Sequence, residues 1–104
     1  MTNSFDAPVR LARSPESAAQ AVTVLLFARL REALGTGRET VALPDEVRNV
    51  GGLLDWLRAR GGGWEAELAP ARPVRVAVNQ EMATAATPVR PGDEVALFPP
   101  VTGG

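Results

Sequence analysis

One stretch of this chain carries a helical apolar stripe long enough to need a sheet beneath it. Val50, Leu53, Leu54 and Leu57 fall on one face of a helix running to about Arg60. Nearly all the other apolar runs alternate with a period of two, the signature of strands. One helix and several strands can bury their apolar sides only against each other. The expected architecture is therefore α+β, a mixed sheet of four to five strands packed on one main helix.

The strands are delimited by turn chemistry. Val22–Ala28 reads as the first, and both of its sides are largely apolar, which suits a central strand. Arg29–Leu34 follows as a short helix closed by Gly35 at its C-terminus. Arg38–Leu43 reads as a second strand, antiparallel to the first and stopped by Pro44. Asn49 is placed to cap the main helix, and Gly61–Gly63 to end it. Trp64–Leu68 reads as one further helical turn. Val74–Val78 is a half-buried strand, with Asn79-Gln80 as a hairpin turn and Met82–Ala85 as the return. "RPGDE", residues 90–94, is a turn before the last strand, Val95–Phe98. The first and last strands are expected to lie parallel at the centre, joined by the long crossover.

Strand parity places Leu25 with Phe27, and Ala96 with Phe98. If those strands are neighbours, the four side chains share the face opposite the helix. They are then either ordinary core or an open apolar patch for a partner. Gly51-Gly52 at the helix start offers backbone N–H groups to an anion, but no P-loop or dinucleotide signature surrounds it.

Composition removes most chemistries. The 104 residues include no Cys and no His, and all 11 basic residues are Arg. Zinc, copper and iron sites lose their usual ligands, so no metal is expected. Cys nucleophiles and His bases are absent too. A net charge of −1 gives no basic footprint for nucleic acid or an acidic membrane. No apolar run approaches the length of a membrane span. The lack of Cys suits the cytoplasm, which is the expected location.

Both ends read differently from the middle. Residues 1–20 form a Pro-, Ser- and Ala-containing extension in which Phe5, Val9 and Leu11 offer one weak apolar contact. Residues 21–98 read as the folded domain and 99–104 as an extended tail. Pro99 and Pro100 lack N–H groups, so they end the last strand and stiffen its exit. Val101, Thr102, Gly103 and Gly104 follow. Two terminal glycines can thread a channel too narrow for any side chain. The terminal carboxylate is unhindered, yet ionised and unreactive at neutral pH. It needs activation by another enzyme, most simply as an acyl-adenylate. The acyl group can then pass to an amine or to sulfur, and without Cys the terminus is where sulfur would be carried.

"VLLFARLRE" at 24–32, "AVNQ" at 77–80 and "GDEVALFPPVTGG" at 92–104 resemble the small, sulfur-carrier subunits of molybdopterin synthase, which are β-grasp (ubiquitin-like) proteins. The resemblance covers all but the N-terminal extension. It implies that an E1-like adenylyltransferase, using ATP, activates the Gly104 carboxylate and that a sulfur donor protein converts it to a thiocarboxylate. It implies docking on a large catalytic subunit through Leu25, Phe27, Ala96 and Phe98. Pro99, Pro100, Val101, Thr102 and Gly103 would enter that subunit's active site, and sulfur would pass to cyclic pyranopterin monophosphate. The implied assembly is a heterotetramer in which this chain has no catalytic site and no bound cofactor of its own. Carriage of sulfur for thiamine or tRNA thiolation, single conjugation to target amines through Gly104, and a plain interaction module with an inert tail are the alternatives.

Overall fold

A computed structural model describes residues 20–100. The expected extension, apart from Gln20, and the tail residues Val101, Thr102, Gly103 and Gly104 lie outside the described residues. In chain order the elements are β1 (Ala21–Leu26), α1 (Ala28–Leu34), β2 (Arg38–Ala42), α2 (Val50–Arg58), α3 (Gly62–Glu67), β3 (Arg75–Val78), β4 (Glu81–Met82) and β5 (Glu94–Phe98).

The five strands form one sheet in the order β2-β1-β5-β3-β4. β1 and β5 run parallel at its centre, with Val24 opposite Val95 and Leu26 opposite Leu97. The other neighbours are antiparallel. This is the mixed-sheet β-grasp arrangement expected from the sequence. The inward residues of the two central strands, Val22, Val24, Leu26, Val95 and Leu97, are fully or almost fully buried. They pack with Val50, Leu53 and Leu57 of α2 and Leu30 of α1. Burying a side chain of this size stabilises by about 1.5–3 kcal/mol. A polar substitution at Leu97 or Leu53 therefore strikes the folded state directly.

The first strand is shorter than its alternation suggested. It ends at Leu26; Phe27 stays extended, and Ala28 turns into the left-handed region at φ 54° to start α1. A non-glycine residue there costs about 1 kcal/mol. The corner keeps Phe27 in sheet geometry, its N–H donating to the Leu97 carbonyl at 3.2 Å.

The main helix begins where expected. Asn49 is extended, and its Oδ1 accepts the Gly52 N–H at 2.8 Å. The helix stops at Arg58 rather than about Arg60, because Gly61 and Gly62 adopt φ of 80° and 56° and reverse the chain. The glycine run thus opens α3 as well as closing α2. Arg60, at this corner, lies 5.6 Å from the Trp56 ring centroid and 4.8 Å from that of Trp64, and it pairs with Glu39 of β2 at 2.6 Å. The cluster ties both helices to the sheet edge.

Asn79 and Gln80 take positive φ, 50° and 72°, as a two-residue hairpin turn of the I′ type demands. The return strand is only Glu81–Met82, shorter than the expected Met82–Ala85. After Ala83 the chain peels away so that Ala85 and Thr87 carbonyls accept the Gly51 and Val50 N–H groups. Asn79 also clasps the next strand. Its Oδ1 accepts the Glu94 N–H at 2.9 Å, and its Nδ2 donates to Asp93 Oδ1 at 3.0 Å. Replacing Asn79 by Ala removes both bonds and places Ala at positive φ. We expect a loss of about 2 kcal/mol, read by urea denaturation with an unchanged m-value.

Candidate functional site

The sheet has a second face, turned away from the helices. Register defines it row by row. Arg38, Leu25, Ala96, Ala77 and Met82 are successive cross-strand neighbours from β2 to β4. Above this row, Phe98 faces Arg75 across the β5–β3 pair. Phe27 continues β1 past the Leu26–Leu97 position and so falls beside Phe98. Below it, Thr40, Thr23 and Glu94 form a polar row. The apolar area is therefore bounded by Thr23 and Glu94 on one side, and by Arg38 and Arg75 at the sheet flanks.

Leu25, Phe27, Ala96 and Phe98, the four residues singled out by parity, are brought onto this one face. Phe27 is 46% exposed, and Leu25, Ala96 and Phe98 are half-buried. Met82 is 59% exposed, and it and Phe27 are the large hydrophobic side chains left exposed among the described residues. Sequence reasoning did not assign Met82 and Ala77 to the patch. The signal was present: a two-residue turn at Asn79-Gln80 pairs Ala77 with Met82 and so fixes the face of both.

Pro99 and Pro100 follow Phe98 directly and are half-buried. β5, hydrogen-bonded on both sides, holds this exit in register from Glu94 to Phe98. The chain thus leaves the sheet at the same end as Phe27 and Phe98. The expected tail residues beyond Pro100, including Gly104, lie outside the described residues.

The rest of the surface supplies little chemistry. Among the described residues none that is polar or charged is buried, and no cluster of three His, Cys, Asp or Glu forms. The helix start at Gly51-Gly52 has spent its donors. The Val50, Gly51 and Gly52 N–H groups go to Thr87, Ala85 and the Asn49 side chain. Asp93 accepts from the Arg90 N–H and from Asn79 and so shapes the turn into β5. No described helix is long and apolar enough to cross a membrane.

Fold and face together define a small β-grasp protein whose last central strand leaves the sheet, at Pro99 and Pro100, beside an open apolar surface. The chain belongs to the ThiS family, whose model matches residues 24–104. It is 39% identical over 83 residues to the molybdopterin synthase sulfur carrier subunit of Escherichia coli, covering 80% of this chain and 99% of that one. The corresponding subunit of Haemophilus influenzae is 35% identical over the same coverage. Among solved structures, small archaeal modifier protein 1 of Haloferax volcanii superimposes with a TM-score of 0.57 at 33% identity, over 78% of this chain and 98% of that one.

Proposed function

We propose that this chain is a sulfur carrier of molybdenum cofactor biosynthesis, the small subunit of a molybdopterin synthase. An E1-like enzyme adenylates the Gly104 carboxylate with ATP and releases pyrophosphate. A sulfur donor protein then displaces AMP and leaves a terminal thiocarboxylate. The carrier docks on the large catalytic subunit through Leu25, Phe27, Ala96 and Phe98, joined by Met82. Pro99, Pro100, Val101, Thr102 and Gly103 thread the active site, where sulfur passes to cyclic pyranopterin monophosphate. ATP belongs to the activating enzyme, and this chain keeps no cofactor.

The observation that carries the reading is the junction of β5, Phe98 and Pro99-Pro100 with the open face. Proline has no N–H to continue the ladder, so pairing stops there and the exit is stiff. Six residues from Pro99 reach about 20 Å at full extension. A partner seated on the face is thereby within reach of the terminus. The likeness to molybdopterin synthase sulfur carrier subunits supports sulfur as the cargo. Intact-mass measurement on chain purified from its own cells tests the assignment. An oxygen-to-sulfur increment on the C-terminal peptide is the expected result, and an unmodified terminus under all growth conditions overturns it.

A second reading, conjugation through Gly104 to amines of other proteins, draws on the likeness to small archaeal modifier protein 1. All basic residues here are Arg, so the chain has no lysine on which to build polymers of itself. Covalent adducts on other proteins, in place of the sulfur increment, would favour it.

A further inference from the structure

At the opposite end of the sheet from Phe27 and Phe98 lies a groove of about 410 Å³. Buried Leu43, Val47 and Val89 form its floor, and Pro44, Pro88 and Pro91 its walls. The walls are held by the backbone: Val89 N–H donates to the Arg48 carbonyl at 2.9 Å, and Val47 N–H to that of Pro44 at 3.0 Å. Three prolines leave a stiff, apolar surface short of donors. Asp45, Arg48 and Arg90 complete the rim, which carries one net positive charge.

Gln20 also lines this groove. Its carbonyl accepts the Leu43 N–H at 3.1 Å, and its side chain donates to Asp45 Oδ1 at 2.7 Å. The segment preceding β1 therefore joins the domain at the groove itself. That segment is 19 residues long and carries Phe5, Val9 and Leu11. Glu16 is its charged residue nearest to Gln20.

We propose that the groove seats the chain's own N-terminal segment, with Leu11 as the apolar anchor and Glu16 facing Arg48 and Arg90. Gln20 lies nine positions after Leu11, a root-mean-square span of about 15–18 Å for a flexible chain. A tether of that length holds the anchor at a millimolar effective concentration, so even a millimolar contact is about half occupied. An unconnected ligand would need far more affinity to do the same. The site lies about 15–20 Å along the strands from the apolar face. Occupancy therefore leaves that face and the chain's exit free, and the contact does not depend on the carrier function.

The absence of Cys makes the test specific. A nitroxide attached through Ala12→Cys in the full chain is expected to broaden the Val47, Arg48, Val89 and Arg90 amide signals selectively. Adding Leu11→Asp is expected to restore those signals, with the rest of the spectrum unchanged as evidence of an intact fold. Broadening confined to Gln20–Val22, or spread evenly over the surface, overturns the proposal. So does broadening of isotope-labelled, nitroxide-free chain on mixing with nitroxide-bearing chain, which would make the occupant a second copy.

Discussion

Deletion of Gly104 is expected to abolish sulfur transfer while leaving the unfolding midpoint of the chain unchanged. The two halves of this result have separate causes. Stability resides in the cluster from Val22 to Leu97, in which α2 and α1 cover the inner faces of β1, β3 and β5. Pro99 and Pro100 already end strand pairing, so a residue four positions beyond Pro100 adds nothing to the ladder. In the proposed role, transfer depends on position. The shortened chain still ends in a carboxylate, on Gly103, but that group falls about 3.5 Å short of where the full tail places it. A misplacement of 1 Å at a reacting group already costs about a hundredfold. Single-turnover sulfur transfer, measured with the large subunit and its pterin substrate, should fall to background. Binding to the large subunit should persist, because the apolar face is intact. A parallel loss of folding would show that the terminus is structural, and full transfer activity would remove Gly104 from the mechanism.

The fold was legible because its local signals agree with one another. Asn49 caps α2, Asn79-Gln80 turns the hairpin, and the apolar alternation of β1 and β5 marks them as central. The patch residues Leu25, Phe27, Ala96 and Phe98 followed from parity once those strands were neighbours. Features set by tertiary approach were not legible. Gly51 looks like a defect at a helix start. In the fold its N–H meets the Ala85 carbonyl at 2.9 Å, and a Cβ there would stand 3.4 Å from both that oxygen and the Ala85 Cβ. The loop that supplies this carbonyl is also what cuts β4 to two residues. The left-handed corner at Ala28 was equally hidden, since alanine gives no sign of positive φ. The role of Asp93 was hidden as well, because its partners, Asn79 and the Arg90 N–H, are gathered by a turn and a sheet pairing together. Met82 was hidden only by counting: exact pairing across the turn assigns it to the open face.

The contrast between Phe98 and Leu97 tests that face most sharply. The two are adjacent in β5 and point to opposite sides, Leu97 fully buried under the helices and Phe98 half-buried on the open face. Leu97→Asp is expected to unfold the chain, because an unpaired carboxylate in the core costs several kcal/mol against a total stability of about 5–15 kcal/mol. Phe98→Asp is expected to fold. Its cross-strand neighbour is Arg75, and an opposite-charge pair there returns about 0.2–1 kcal/mol, much of what aspartate loses in strand propensity. Docking should suffer instead. A central aromatic anchor in an interface contributes about 2 kcal/mol or more, and the substituted carboxylate adds a desolvation cost. Affinity for the large subunit, followed by calorimetry, should fall at least about thirtyfold. Thr40→Asp, on the same face but in the polar row, should change it little. Unaltered binding by Phe98→Asp would return Phe98 to an ordinary packing role and leave the chain's exit without its neighbouring dock.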